Sequence, residues 1–165
     1  MAVLIDSGLS PVVNFGTGAE TGPEAKFGRS LARVLGTQEQ VVAIVREFSV
    51  ANLGVADMLR IESGRTVRLT AFELKISNWR RALAQAYRYS YYADYSIVVM
   101  PERPRDLNLH EFRSAGVGFW LYDAPSKVVR CLARPQKAIR NPRARAQAIE
   151  WIQAQSKLRK LLKNS

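Results

Sequence analysis

Apolar and polar residues alternate along residues 65–76, so that successive side chains point to opposite faces. A period of two residues predicts a β-strand. Residues 46–50 and 55–61 have the same character, and only short turns, over residues 51–54 and 62–64, separate the three runs. Because short turns join antiparallel neighbours, the pattern predicts a three-stranded antiparallel meander.

Helical spacing flanks the predicted meander on both sides. Residues 26–45 carry apolar residues three and four positions apart, with a break near Gly36, and Thr37 and Gln40 have the spacing of a capping box. This stretch predicts two helices or one broken helix. Residues 78–93 predict a further helix. Its apolar packing stripe is bordered by a polar row at four-residue spacing: Arg81, Gln85 and Tyr89.

A short apolar run over residues 95–100 ends at Pro101. Such a run is typical of a buried strand that a helical crossover places parallel to the strand before it. Further elements are predicted over residues 105–114 (a brief helix), 118–122 and 127–132 (strands), and from the N-cap Asn141 to about residue 163 (a helix). The predicted fold class is α/β, with a central mixed β-sheet, an antiparallel meander plus a crossover strand, flanked by helices.

The composition narrows the class of protein. The chain has 165 residues, of which 47% are hydrophobic and 24% charged, as expected for one compact domain. A single cysteine allows no internal disulfide, and a single histidine argues against an imidazole zinc site. No run of about 18 apolar residues and no signal-peptide pattern is present, so we expect a cytoplasmic protein that does not span a membrane.

Positive charge is concentrated in the last part of the chain. The net charge is +11, and residues 126–165 contain 11 basic residues and one acidic residue. Clustered Lys and Arg favour a polyanionic partner, because each neutralised phosphate releases condensed counterions. The helix predicted after Asn141 can pack on the domain, pair with a second copy in a homodimer, or lie along a membrane surface. We favour packing with a basic outer face toward nucleic acid, since its apolar side is too ragged for a coiled coil.

Candidate chemistry lies at the end of the third predicted strand. Glu73 and Lys75 are two residues apart and point to the same side. If the strand that carries Asp57 lies beside this one, the two carboxylates can share a cation at about 2.0–2.1 Å per oxygen, as magnesium requires. Taken alone, an acid-x-lysine triplet is a weak signal, and ordinary charges on a solvated sheet face are the commoner explanation of it. The polar row with Gln85 and Tyr89 on the next helix favours a site, because these side chains can reach phosphate oxygens and water.

Together these residues resemble the PD-(D/E)xK nuclease superfamily, which has the restriction-endonuclease-like fold, and the Gln-x-x-x-Tyr pair resembles its RecB-type branch. The resemblance covers residues 38–101, and Ala56 stands where the family has proline. It implies that Asp57 and Glu73 bind Mg²⁺ or Mn²⁺, that Lys75 orients or activates the attacking water, and that Gln85 and Tyr89 lie near the site. An upstream acid often completes such sites. The candidates are Glu47 and, second, Glu39.

The resemblance implies a metal-dependent DNA nuclease that hydrolyses phosphodiester bonds. The alternative is a non-catalytic DNA-binding or assembly protein that kept the fold. The predicted organisation is an irregular N-terminal arm over residues 1–25 with a short strand near residues 12–15, a nuclease-like core over 26–135, and a basic C-terminal helix over 136–165 packed on the core. The residues predicted to contact nucleic acid are Arg80, Arg81, Arg88, Arg143, Arg145, Lys157, Arg159 and Lys160.

Overall fold

The chain folds as an α/β protein around an eight-stranded mixed sheet. The structure is a computed structural model and describes residues 3–4, 12–14, 21–38, 40–50 and 52–163. The strands are β1 (Val3–Leu4), β2 (Val12–Asn14), β3 (Val41–Ser49), β4 (Val55–Glu62), β5 (Arg68–Leu74), β6 (Tyr95–Met100), β7 (Gly118–Asp123) and β8 (Val128–Ala133). The helices are α1 (Pro23–Leu35), α2 (Trp79–Tyr89), α3 (Leu109–Ala115), α4 (Pro142–Ala154) and α5 (Ser156–Lys163).

The strands lie in the sheet in chain order. Strands β3, β4 and β5 are antiparallel neighbours, which confirms the predicted meander. Strand β6 is parallel to β5 and is reached through α2, as the apolar run over residues 95–100 predicts. Strand β7 continues parallel to β6, and β8 returns antiparallel to β7. None of the helices in the described part of the chain has the length and apolar character needed to cross a bilayer.

The prediction of a second helix starting at Thr37 is wrong, because the residues from Val41 onward form β3. The hydroxyl of Thr37 donates back to the carbonyl oxygen of Val34 at 2.7 Å, so this residue closes α1 instead of opening a new helix. All of Val41–Val45 is buried, since β3 lies between two strands and has a hydrophobic core on each face. A strand buried on both faces shows no alternation, and periodicity alone does not separate it from a helix.

Helix α1 begins at Pro23, within the segment predicted to be irregular, while β2 lies where the short strand near residue 12 is predicted. The helix packs closely on the sheet at Gly28. A Cβ atom there would lie 3.0 Å from Leu74 Cδ1 and 3.3 Å from Arg46 Nη2. This close approach places the first turn of α1 near the ends of β4 and β5.

The two faces of the sheet carry separate hydrophobic clusters. On one face α1 packs on β3–β6 through side chains that include Phe27, Leu31, Met58, Phe72 and Val99. On the other face α2, α3, α4 and α5 share a larger cluster that includes Leu59, Ala86, Phe112, Ile152 and Leu158. The sheet is therefore the central layer, and its strand ends are the places where side chains from both faces can meet.

The C-terminal region forms two helices where one is predicted, because the helix ends at Gln155 and restarts at Ser156. Its start agrees with the sequence pattern. Asn141 Oδ1 accepts hydrogen bonds from the backbone N–H groups of Arg143 at 3.1 Å and Ala144 at 3.2 Å. An N-cap of this kind satisfies donors that the first helical turn leaves unpaired.

Candidate metal and catalytic site

The register of β4 and β5 brings the first two predicted site residues together. Met58 pairs with Phe72, so the next step along the antiparallel ladder places Asp57 across from Glu73. Asp57 Oδ2 accepts a hydrogen bond from the backbone N–H of Leu74 at 2.6 Å. The prediction that the strand of Asp57 lies beside that of Glu73 is thereby confirmed.

Glu73 is buried and contacts two side chains. Lys75 Nζ lies 3.2 Å from its Oε1, and the Tyr89 hydroxyl lies 2.6 Å from its Oε2. The same hydroxyl lies 2.7 Å from the carbonyl oxygen of Val55, and its one hydrogen can be donated to only one of the two oxygens at a time. Although Oε1 is ion-paired, no described group donates a hydrogen bond to it with good geometry. Glu73 therefore keeps acceptor capacity within a buried environment.

The two carboxylates are held close together without a charge that fully neutralises them. Burial, and next the negative charge of Glu73, raises the pKa of Asp57 from 3.8 to about 7. Burial also raises the pKa of Glu73, against the opposing effects of Tyr89 and Lys75. Burial acts to lower the pKa of Lys75, but the charges of Glu73 and Asp57 outweigh it and raise that pKa. The site is thus short of positive charge when both acids are ionised.

Sequence reasoning missed a third acid, Glu24, in the first turn of α1. It borders a cavity of about 70 Å³ together with Ala25, Arg46, Asp57 and Leu74. The charge of Glu24 contributes to the raised pKa values of Asp57, Glu73 and Lys75. The apolar spacing after residue 26 predicts the helix, but only the packing of α1 on the sheet brings its first turn to the site.

The predicted third acid, Glu47, lies in β3 and is half-buried, with a φ of 55°. Its position falls between the pairs Arg46–Met58 and Phe48–Ala56, which places it across the ladder from Asp57. The second candidate, Glu39, lies outside the described residues. Asp57 of β4 therefore has an acidic residue on each neighbouring strand, Glu47 on β3 and Glu73 on β5. Glu24 of α1 borders the same cavity as Asp57.

The two predicted site residues of α2 differ in their surroundings. Tyr89 is fully buried and bonded to Glu73, so it does not lie at an exposed helix edge as its place in the polar row predicts. Gln85, one turn earlier, is half-buried, and its Oε1 is buried and accepts no hydrogen bond from the described residues. A buried acceptor without a protein donor is suited to receive a hydrogen bond from a water molecule. The helix ends at Tyr89, four residues before the predicted end.

Most of the basic residues predicted to contact nucleic acid are exposed. Two of the eight, Arg145 and Arg80, make contacts with other residues of the protein. Arg145 is half-buried. Its Nη2 lies 2.8 Å from Asp94 Oδ2 and 2.7 Å from the carbonyl oxygen of Val67, so this side chain binds partners within the protein. Arg80 stacks on the Trp79 ring at 4.3 Å and pairs with Asp106 at 2.5 Å. The side chain of Lys157 lies outside the described residues. The other exposed members are Arg81, Arg88, Arg143, Arg159 and Lys160.

The donor set at the strand ends fits a hard divalent cation. Magnesium is commonly bound by one or two carboxylates and completes its shell with water and phosphate oxygens. Asp57 and Glu73 supply such oxygens, and burial is the main cause that raises the pKa of each carboxyl group. Within the described residues, no group of three or more carboxylate, histidine or cysteine side chains is gathered closely enough to enclose an ion. The donors that would hold such a cation are therefore the carboxylate oxygens of Asp57 and Glu73.

Comparisons with known proteins bear on the fold alone. No protein-family model matches the chain, and no curated protein matches its sequence. Among solved structures, the chain is similar to the SPO1766 protein of unknown function from Silicibacter pomeroyi. The TM-score is 0.59 and the sequence identity 19%, over 79% of this chain and 84% of that chain. This likeness supports a shared arrangement of helices and strands.

Proposed function

We propose that this protein is a metal-dependent DNA nuclease that hydrolyses phosphodiester bonds. The observation that carries the proposal is the convergence of three side chains at one end of the sheet. Asp57 is bonded to the backbone of Leu74, Glu73 is buried opposite it, and Lys75 Nζ lies 3.2 Å from Glu73. Two acids and a lysine in this arrangement suit the hydrolysis of a phosphate ester.

The order of elements supports a restriction-endonuclease-like fold as part of the same proposal. The chain runs from α1 through the antiparallel strands β3, β4 and β5, then through α2 to the parallel strand β6. This is the meander and crossover expected from the resemblance to the PD-(D/E)xK nucleases. Asp57 lies on β4, Glu73 on β5 with Lys75 directly after it, and Gln85 and Tyr89 on α2, an order that supports the proposal.

Each residue of the proposed site has a distinct task. Asp57 and Glu73 would hold Mg²⁺, which when bound polarises the phosphate and lowers the pKa of a water molecule. Lys75 presents a charged donor beside Glu73 and would orient the attacking water by a hydrogen bond. The Tyr89 hydroxyl holds Glu73 from the opposite side. Gln85 offers its buried Oε1 as an acceptor for a water hydrogen.

Purified protein should cut labelled single-stranded, duplex or branched DNA in Mg²⁺ or Mn²⁺ and leave it intact in EDTA. We expect Glu73→Gln and Lys75→Met to reduce the rate by at least about 100-fold, since each removes a group that acts on the reacting phosphate or water. Glu150→Gln is the matched control, because it makes the same chemical change at an exposed position of α4.

Full cutting by both site variants would assign the activity to another site or a contaminant. Tight, salt-sensitive DNA binding by the wild-type protein without any metal-dependent cleavage would favour the alternative, a DNA-binding or assembly protein. The Mg²⁺-induced change in Tm separates these outcomes further. It should be present in wild type and in Glu150→Gln, and lost in Glu73→Gln.

A further inference from the structure

A basic groove with a volume of about 400 Å³ runs beside α1, and its lining residues are distinct from those of the cavity at Asp57. One wall is the outer face of α1 and the other is the turn between β7 and β8. The polar residues that line it include Lys26, Arg29, Ser30, Arg33 and Lys127. Four of these five are cations, and none of the described residues that line the groove is acidic.

The helix places its cations in a row. Lys26, Arg29 and Arg33 are spaced three and four residues apart, so they lie on one face of α1 and are all exposed. The opposite face of the helix is buried against the sheet through residues such as Phe27 and Leu31. At about 1.5 Å of rise per residue, the row extends roughly 10 Å along the helix.

The two walls of the groove are fixed to each other. Ser30 Oγ and the Tyr122 hydroxyl form a hydrogen bond of 2.6 Å, and the Phe27 and Tyr122 rings lie 5.5 Å apart. Tyr122 belongs to β7, directly before the turn that carries Lys127. Lys127 itself has a φ of 57°, in the left-handed region. These contacts fix the position of α1 relative to the end of β7, and so the backbone separation between the helix and the turn that carries Lys127.

We infer that this groove binds the phosphate backbone of a nucleic acid that extends from the candidate site along α1. The charged residues that line the groove in the described part of the chain are all cations, which suits a polyanionic ligand. The row begins two residues after Glu24, at the end of α1 that borders the site. The choice of nucleic acid among polyanions rests on the proposed function.

The test is oligonucleotide binding in EDTA, where no cutting occurs. Fluorescence anisotropy over a salt series should compare wild type with the double variant Lys26→Glu/Arg33→Glu. Loss of two phosphate contacts should weaken binding by about tenfold or more and lower the slope of log K against log salt by about two. The matched control is Arg113→Glu/Arg134→Glu, which changes the charge equally at exposed positions that do not line the groove.

A second variant lies outside α1, so its effect on binding cannot come from a disturbed helix. Lys127→Gly removes one cation from the turn and suits the left-handed backbone at that position, so the fold should be kept. It should lower the salt slope by about one. Equal weakening by the groove and control double variants, or no weakening by either, would overturn the inference. Wild-type binding to phosphatidylserine vesicles instead of oligonucleotides, lost in the groove variant, would replace nucleic acid by a lipid surface.

Failure of this inference and failure of the proposed function give different results. DNA binding that depends on the groove, without any metal-dependent cutting, would contradict the nuclease proposal and leave the groove assignment standing. Metal-dependent cutting and binding that are both unchanged in Lys26→Glu/Arg33→Glu would contradict the groove assignment and leave the nuclease proposal standing.

Discussion

Asp57 and Glu73 occupy facing positions at the end of a β-ladder, where backbone geometry keeps them together although their charges repel. Lys75 lies beside Glu73 and offsets part of this repulsion. Without a cation, the remaining repulsion between the two carboxylates lowers the stability of the folded protein. The proposed metal binding and the stability of the metal-free protein would therefore oppose each other at this site, as is common where binding groups are preorganised.

The metal-free protein should lose stability as the pH rises through about 7. The folded pKa of Asp57, about 7, lies above its ordinary value of 3.8, so the folded state binds the proton more tightly than the unfolded state. The stabilising contribution of protonated Asp57 is complete below the unfolded pKa and is lost as pH rises through the folded pKa. Urea unfolding in EDTA at about pH 5 and about pH 8 measures this difference.

Asp57→Asn isolates the contribution of this residue. Asn keeps an oxygen that can accept from the Leu74 N–H but carries no charge. The variant should be more stable than wild type at about pH 8, show a smaller fall in stability between the two pH values, and lose the Mg²⁺-induced rise in Tm. Glu150→Gln should retain the wild-type pH dependence. An unchanged pH dependence in Asp57→Asn would show that Asp57 is not the titrating group.

Two buried tyrosines provide a matched pair for testing the contact with Glu73. Tyr89→Phe removes a hydroxyl that lies within hydrogen-bonding distance of Glu73 and of the Val55 carbonyl, and it should cost about 1–2 kcal/mol. Tyr92→Phe removes a buried hydroxyl that has no hydrogen-bond partner among the described residues, so its cost should be close to zero. Urea unfolding compares the two. Equal costs would contradict the assigned role of the Tyr89 hydroxyl.

At the scale of elements, the turn between β5 and α2 determines how two parts of the candidate site meet. Lys75 directly follows β5, and Asn78 is the N-cap of α2, with φ 55° and ψ 63°. The Asn78 side chain also accepts a hydrogen bond from the Arg81 N–H at 3.2 Å. One residue thus supplies both a left-handed backbone and an N-cap, and the direction of α2 depends on it.

Substitution of Asn78 should separate these two contributions. Asn78→Ala loses the cap and places an alanine in the left-handed region, for an expected cost of about 2 kcal/mol. Asn78→Gly loses the cap but adopts this backbone readily, so its cost should be about 0.5 kcal/mol. Chemical unfolding gives both values. If Gly is as destabilising as Ala, the left-handed conformation makes no separate contribution.

At the scale of the whole molecule, the C-terminal helices belong to the main hydrophobic cluster. Ile152 and Leu158 are buried in it, and the Trp151 ring packs on Phe48 of β3 at 5.0 Å. The preceding segment is bonded to the end of α2 and the loop after it, with Ala138 N–H donating to Asp94 O and Asn141 N–H to Tyr91 O. The basic helices α4 and α5 and the basic face of α1 thus lie on opposite faces of the sheet.

Arg145 and Arg143 should have opposite phenotypes although they are two residues apart. Arg145→Met leaves Asp94 buried without this partner, and we expect a loss of about 3 kcal/mol in unfolding free energy. Arg143→Met changes an exposed side chain and should alter stability by less than about 0.5 kcal/mol while weakening DNA binding. Chemical unfolding and oligonucleotide anisotropy measure the two effects. Equal stability of the two variants would contradict the structural role of Arg145.

Local sequence patterns predicted two kinds of feature: strands with alternating side chains, and helix starts marked by a capping residue. The alternation over residues 65–76 predicts β5 and the common direction of Glu73 and Lys75, and Asn141 before Pro142 predicts the start of α4. The first half of β3, Val41–Val45, was predicted as helix because both of its faces are buried and its apolar run shows no alternation.

The sequence by itself determined the identity of the acid-x-lysine strand, the meander around it and the excess of positive charge, because these depend on neighbours along the chain. Only the tertiary structure shows that Glu24 borders the same cavity as Asp57, that Arg145 forms an ion pair with Asp94, and that Lys127 lines one groove with the cations of α1. Each of these contacts joins elements far apart in the chain. Their separations follow from how helices pack on the sheet, which residue spacing does not encode.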